Sequence, residues 1–313
     1  MSSQPPRATE WASACVAVSG SVAAVKAPDL ASALLSAGVS VDLVLTEAAH
    51  SLLQSAYQNR QPWAALQALA AAHAPPIDAV DANASTLEPP KRFKKGDVRS
   101  SATAAAAAAA GSMADPYQGG SSTAAAAAAD AAVDQPQGER LATLRIHHDA
   151  DEWRGYNTVG TDPVLHVELA KRNSLLLVAP LCANTLAQAA LGLCGNLLGS
   201  VLRAWYYDLD ADFATPLAER YGAHCVNKPV LVAPAMNTFM WHQKITGTHL
   251  QTLEARGVTV VPPISKLLAC GDVGVGAMAE VRDVAAAALA ALRAHVAAET
   301  RALGAEGKPK FRP

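Results

Sequence analysis

The side chains of this 313-residue chain best suited to chemistry stand just past short apolar runs. Residues 231–241 read LVAPAMNTFMW: residues 230–233 are β-prone and uncharged, Pro234 stops the run, and Met236 and Asn237 fall in the turn. Residues 174–180 (SLLLVAP) end in the same way and lead into Leu181, Cys182, Ala183, Asn184 and Thr185. Residues 12–19 (ASACVAVS) run into Gly20 and Ser21, and residues 39–45 (VSVDLVL) into Thr46. In an open α/β sheet, residues just past the carboxyl ends of strands line the ligand crevice. Amides and hydroxyls at several such ends suit a flat heteroaromatic ring with a phosphate tail. The GSVAA turn is the candidate for the phosphate, because glycine takes backbone conformations other residues avoid and N–H groups at a helix start hold anions. It is neither a GxGxxG fingerprint nor a P-loop.

Two further residues have reactive side chains. His166 lies in DPVLHVELA, in the first or second turn of a helix with Pro163 near its first turn; a histidine there is either a satisfied polar residue or a catalyst. Cys270 lies in LACGDVGVGAMAE, where three glycines follow it. That stretch reads as a mobile loop able to close over a ligand, its cysteine either a small buried hydrophobe or a thiol that moves protons. The crowd His147, His148, Asp149, Asp151 is not read as a metal site, since neighbours on an extended chain point to opposite faces and converge poorly on one ion.

The apolar runs that carry these groups read as strands buried on both faces, as in a parallel sheet. Helical spacing follows the GS turn to about Leu35, covers residues 47–73 and 186–205, follows Trp241 to about Arg256, and fills residues 281–303. Residues 206–227 look inserted, polar and irregular. Residues 74–140 are rich in Ala, Ser, Gly, Pro and Asp, too poor in core formers to pack, and are expected to be mostly disordered with transient helix. The expected organisation is a tail at 1–10, one domain at 11–303 interrupted at about 74–140 and 206–227, and a tail at 304–313.

Composition narrows the function classes. A formal net charge of −2 leaves no electrostatic footprint for nucleic acid. The short basic cluster at residues 91–95 is read as a solvated charge run, a nuclear address being the other reading. Five cysteines form no CxxC pair and the first residues carry no apolar signal core, so a reducing, cytoplasmic setting is expected. Residues 173–202 carry no charge, but Pro180, Asn184, Gln188, Asn196 and several glycines break them up, so a strand, turn and helix are expected and no membrane span.

Taken in order, GSVAAVK, DPVLHVELA, APLCANTLAQ, GLCGNLL, VAPAMNTFMW and LACGDVGVGAMAE resemble the flavin-dependent cysteine decarboxylases, most closely the eukaryotic phosphopantothenoylcysteine decarboxylases. The resemblance implies a three-layer, flavodoxin-like or Rossmann-like parallel sheet with helices on both faces, bound FMN, no metal, and a homotrimer or a heterotrimer of paralogues with sites between subunits. The implied reaction converts 4′-phosphopantothenoylcysteine to 4′-phosphopantetheine, for coenzyme A biosynthesis, through a thioaldehyde. Carried over by residue, Gly20, Ser21 and Val22 meet the FMN phosphate, and Thr46, Cys182, Ala183, Asn184, Thr185 and Ala235 the rest of the flavin. His166 is the active-site histidine, Asn237 the ligand of the substrate carboxylate, and Cys270 the proton-donating thiol; Met240, Ala269 and Met278 hold substrate. Cys182 replaces a customary serine, and Leu267 a basic residue, which leaves Lys266 to meet the acidic groups of the substrate. The alternative implied by fungal relatives is an inhibitory subunit of a serine/threonine phosphatase.

Overall fold

The computed structural model describes residues 12–75, 142–154, 156–267 and 273–304. They belong to one unit of the chain, formed by residues 1–84 and 140–313. Its centre is a six-stranded sheet of β1 (Ser13–Val18), β2 (Ser40–Leu45), β3 (Leu144–His148), β4 (Leu175–Leu181), β5 (Val230–Pro234) and β6 (Thr259–Val260). The order is β3-β2-β1-β4-β5-β6, and every neighbouring pair is parallel. Without the outer β3 this is the flavodoxin strand order, whose reversal point here lies between β1 and β4.

Uncharged strands form the centre because both of their faces are covered. Val16 and Val18 of β1 join one core, with Leu30 and Leu34 of α1 (Ala27–Ser36), Leu53 of α2 (Glu47–Gln54), Leu66 of α3 (Pro62–Ala72) and Leu292 of α10 (Val281–Gly304). Cys15 and Ala17 join the other, with Leu169 of α4 (Leu165–Arg172), Leu186 of α5 (Ala183–Leu191), Val201 of α6 (Leu197–Ala204) and Leu253 of α9 (Lys244–Ala255). Each fully buried aliphatic side chain of this kind contributes about 1.5–3 kcal/mol relative to exposure. The three-layer expectation therefore holds.

The helices break more often than their spacing suggests. The stretch 47–73 divides into α2 and α3 at a tight turn where Tyr57 bridges Arg60, with Gln58 and Asn59 at φ 48° and 60°. The stretch 186–205 divides into α5 and α6, because Gly192 takes φ 70° and closes α5. Residues 206–227 are less irregular than expected: α7 (Ala211–Tyr221) fills half of them, and Tyr207, Cys225 and Val226 are buried. Where a mobile loop was expected there is an antiparallel hairpin, β7 (Ile264–Leu267) with β8 (Val273–Ala277), on either side of residues outside the described set. The expected insert at 74–140 and the basic cluster at 91–95 lie almost wholly outside it. Among the described residues no helix is long and apolar enough to cross a membrane.

Polar ties fix the edges. Asp42, buried in β2, accepts two bonds from Arg172 at 2.7 and 2.6 Å, one from Asn173 at 2.8 Å and one from His147 at 3.0 Å. Burial alone would raise its pKa, but the His147 bond and the Arg172 charge outweigh that and hold the carboxyl well below the usual range. Lys228 donates to the carbonyls of Ala170, Lys171 and Asn173 at 2.8–2.9 Å, satisfying the C-terminal end of α4. The carbonyl of His73 accepts from Leu144 N–H at 2.9 Å and the His73 ring donates to Ala142 O at 2.9 Å, so the chain leaving α3 and the chain returning to β3 are fastened together.

Candidate active site

All the parallel strands deliver their turns to the carboxyl edge of the sheet. There a cavity of about 230 Å³ is lined by Ser21, Val22, Lys26, Tyr57, Asn237, Lys266 and Met278, among others. Of the residues expected from sequence, the structure thus brings together Ser21, Val22, Ala235, Asn237, Lys266 and Met278. Gly20 stands beside the cavity against α2, where a Cβ would come within 2.6 Å of Ala48 Cβ.

Asn237 begins α8 (Thr238–His242), and its Oδ1 accepts from Phe239 N at 2.8 Å and Met240 N at 3.3 Å. This cap fixes the orientation of the amide, whose Nδ2–H is a donor of the kind a carboxylate accepts. The turn is also held from the front: Met236 N donates to Gly276 O at 2.9 Å. Gly276 has φ 145°, and a Cβ there would collide with Met236 O, so only glycine lets β8 lie this close.

At the cavity mouth Glu280 bridges two cations, Lys26 at 3.7 Å and Lys266 at 3.4 Å. The Lys26 charge and the Lys266 hydrogen bond both lower the Glu280 pKa. Two lysines sharing one carboxylate leave a net positive charge for an incoming anion.

Next to the cavity lies the reversal point. Ser19, fully buried, donates through Oγ to Pro180 O at 2.8 Å and accepts from Cys182 N at 2.8 Å, tying β1 to β4. Cys182 precedes α5 without a side-chain cap, and its thiol turns to Thr185 Oγ1 at 3.3 Å. The first-turn N–H groups of Ala183, Asn184 and Thr185 thus form a donor set. Such a set fits the acceptor-rich edge of a flavin, and Ser21 starts the 3-10 helix Val22–Lys26 where a phosphate would lie. The Thr46 hydroxyl is engaged in the fold: it accepts from Ala49 N at 3.2 Å, capping α2, and donates to Val18 O at 3.3 Å. Met240 is exposed beyond Asn237.

His166 sits in the first turn of α4, at the same edge, but is not among the residues that line the cavity. Its Nδ1 is hydrogen-bonded to Glu152 Oε1 at 2.5 Å. The neighbouring acids have other tasks. Asp149 accepts from Glu47 N at 3.3 Å and Leu197 N at 3.1 Å, joining the starts of α2 and α6, while Asp151 accepts from His148 N at 2.8 Å. No group of three metal-binding side chains exists among the described residues. Ala269 and Cys270 lie outside those residues.

Lys26, Tyr57 and Glu152 are participants that sequence reasoning missed. Lys26 closes the quoted GSVAAVK motif, one helical stretch after Ser21, which was a usable signal. Tyr57 gave none, since it was assigned to the interior of a continuous helix. Glu152 was visible only as one acid in a crowded run.

The flavoprotein family profile matches residues 2–293. A probable phosphopantothenoylcysteine decarboxylase of Arabidopsis thaliana is 47% identical over 148 residues, which are 47% of this chain and 63% of that one. The match therefore spans less than two thirds of that relative. A solved mutant of PPC decarboxylase complexed with pantothenoylaminoethenethiol superposes with TM-score 0.51 at 29% identity, over 88% of this chain and 95% of its own. The FMN binding protein AtHal3 gives TM-score 0.51 at 28% identity, over 88% and 94%.

Proposed function

The chain belongs to the flavoprotein family, and from that premise we propose that it is an FMN-dependent decarboxylase of 4′-phosphopantothenoylcysteine, acting in coenzyme A biosynthesis. The observation that carries this reading is a cavity in which a capped asparagine amide, two lysines and a buried methionine meet the Ser21 turn, beside the donor set at α5.

A simple carboxylate releases CO₂ slowly because the electrons left on carbon have no sink. FMN, when bound, would supply the hydride acceptor that makes the substrate thiol a thioaldehyde, and would return the hydride afterwards. The chain's own residues do the rest. Nδ2–H of Asn237 orients the carboxylate by a charge-assisted bond worth about 1.5–3 kcal/mol. Lys26 and Lys266 draw the anionic substrate to the mouth. Met278, 2% exposed, forms part of a dry wall, which strengthens these polar contacts. After CO₂ leaves, carbon needs a proton, and a thiol such as Cys270 is mostly protonated near neutrality, given an ordinary value of about 8.5.

His166 completes the site from a second copy of the chain. It does not line its own subunit's cavity, and Val22, Phe239 and Met240 are exposed around the same edge, 45%, 74% and 42% respectively. A homotrimer that covers these side chains would bring one subunit's His166 toward the next subunit's Asn237.

The test is direct. Purified protein should be yellow with a flavin spectrum, sediment as a trimer, and release CO₂ from 4′-phosphopantothenoylcysteine. Colourless protein, or flavin-loaded protein that releases no CO₂, refutes the enzyme.

A further inference from the structure

We propose that Glu152 is the positioning residue of His166, holding its imidazole with the proton on Nδ1 so that Nε2 is presented outward as the working nitrogen. The inference rests on the reading of His166 as an active-site histidine and deepens it.

Glu152 is a carboxylate taken out of water, 8% exposed, in the 3-10 helix Asp149–Trp153. Such burial costs several kcal/mol for an ion unless partners compensate. Asp149 and Asp151, its neighbours in the same run, satisfy backbone N–H groups. Glu152 does not. Its Oε1 meets Nδ1 of His166, and its Oε2 has no hydrogen-bond partner among the described residues. A carboxylate kept solely to fasten the 3-10 helix would be expected to bond backbone, as Asp149 does. One that meets a single imidazole nitrogen at 2.5 Å fixes a tautomer instead.

The geometry gives that tautomer a direction. His166 is 26% exposed at its side chain while Glu152 is enclosed, so the ring has an inner nitrogen, engaged, and an outer edge facing solvent at the carboxyl edge of the sheet. The helix that carries it cannot easily turn, because its far end is tied by Asp42 to Arg172 and Asn173 and by Lys228 to three carbonyls. Together these contacts leave the ring one orientation. A carboxylate behind the ring also makes the outer nitrogen a better acceptor and proton carrier, as carboxylates do behind metal-bound and catalytic histidines.

The experiment uses the flavin-loaded full chain and two variants, Glu152→Gln and Glu152→Asp, beside His166→Gln. The ¹⁵N spectrum of the His166 ring, at mildly alkaline pH, should show the proton on Nδ1 in the parent protein and spread toward Nε2 in Glu152→Gln. The same variant should lose about 10–100-fold in kcat with KM changed less than about twofold, and Glu152→Asp should recover part of the loss. A parent ring protonated on Nε2, or a Glu152→Gln protein with full kcat and an unmoved tautomer, overturns the proposal. So does a variant that is less stable yet has unchanged kcat per bound flavin, which marks a purely structural tie. Full activity in His166→Gln instead overturns the active-site reading of the histidine, and the ring spectrum still decides the pairing. Should Glu152→Gln fail to fold, the parent spectrum and Glu152→Asp carry the decision.

Discussion

Replacing Asn237 by Asp separates its two tasks, capping a helix and meeting a carboxylate. Asn237 Oδ1 receives Phe239 N and Met240 N at 2.8 and 3.3 Å. Aspartate offers an oxygen in the same place and caps helices as well as asparagine does, so α8 keeps its start and thermal stability should move little. The group facing the substrate changes from donor to anion. The lost charge-assisted bond is worth about 1.5–3 kcal/mol. Two carboxylates about 4 Å apart repel by about 4 kcal/mol at an effective dielectric of about 20. The sum, about 5.5–7 kcal/mol, corresponds to about 10⁴–10⁵-fold in kcat/KM. Asn237→Ala provides the contrast: it loses the cap, worth about 1 kcal/mol, and the bond, without adding repulsion. It should melt earlier than Asn237→Asp yet be about 10–100-fold impaired, much less than the aspartate. The assay is CO₂ release against substrate concentration, with melting curves on the same preparations and flavin content matched. An aspartate variant within tenfold of the parent, or no worse than the alanine variant, would refute the assignment of the carboxylate to this amide.

Four other outcomes follow from the fold. His295 is 8% exposed, and burial, then the charges of Lys228 and His224, push its ring down to about 4. Between pH 6.5 and 4 the unfolded chain takes up a proton that the folded chain refuses, so this residue lowers stability as pH falls through that window, by at most about 3 kcal/mol; His295→Leu should flatten that limb in urea titrations. Gly276→Ala should cost about 1–3 kcal/mol of stability and weaken flavin retention, since φ 145° and contact with Met236 O both exclude a Cβ. Gly247→Ala in α9, where a Cβ meets nothing within 4 Å, should instead be neutral or stabilising by up to about 1 kcal/mol. Lys228→Met leaves the carbonyls of Ala170, Lys171 and Asn173 without their donor, at about 1–3 kcal/mol for each that stays buried and unmet, visible as a lower urea midpoint.

The sheet was readable because period and punctuation agree: β-prone runs end at Pro234, Gly20 or a small polar residue, and each became a strand or its turn. The cavity was half readable. Ser21 and Asn237 follow strands directly, so knowing the strand places the residue. Lys26 and Tyr57 reach the cavity across a 3-10 helix and a left-handed turn, and neither geometry leaves a periodic trace. Gln58 adopts a positive φ that its side chain does not favour, so the break between α2 and α3 had only Asn59 and Pro62 to announce it. Gly192 ends α5 inside a stretch whose spacing read as one continuous helix. The His166–Glu152 pair spans 14 residues of irregular chain, and only the folded path brings it together. The bonds of Asp42 connect residues 105–131 positions apart, beyond the reach of any local pattern.

The bonds from His73 to Ala142 and Leu144 make the interruption between α3 and β3 a loop closed at its neck. For a loop already closed, added length costs only logarithmically, about 0.6 kcal/mol for each doubling. Changing the length between those residues therefore costs little: segments can be gained, shortened or exchanged there over generations, or a reporter domain spliced in, while the register of β2 and β3 is set at the neck. The position is a permissive port, on an outer strand whose removal would still leave a complete five-stranded nucleotide-binding order.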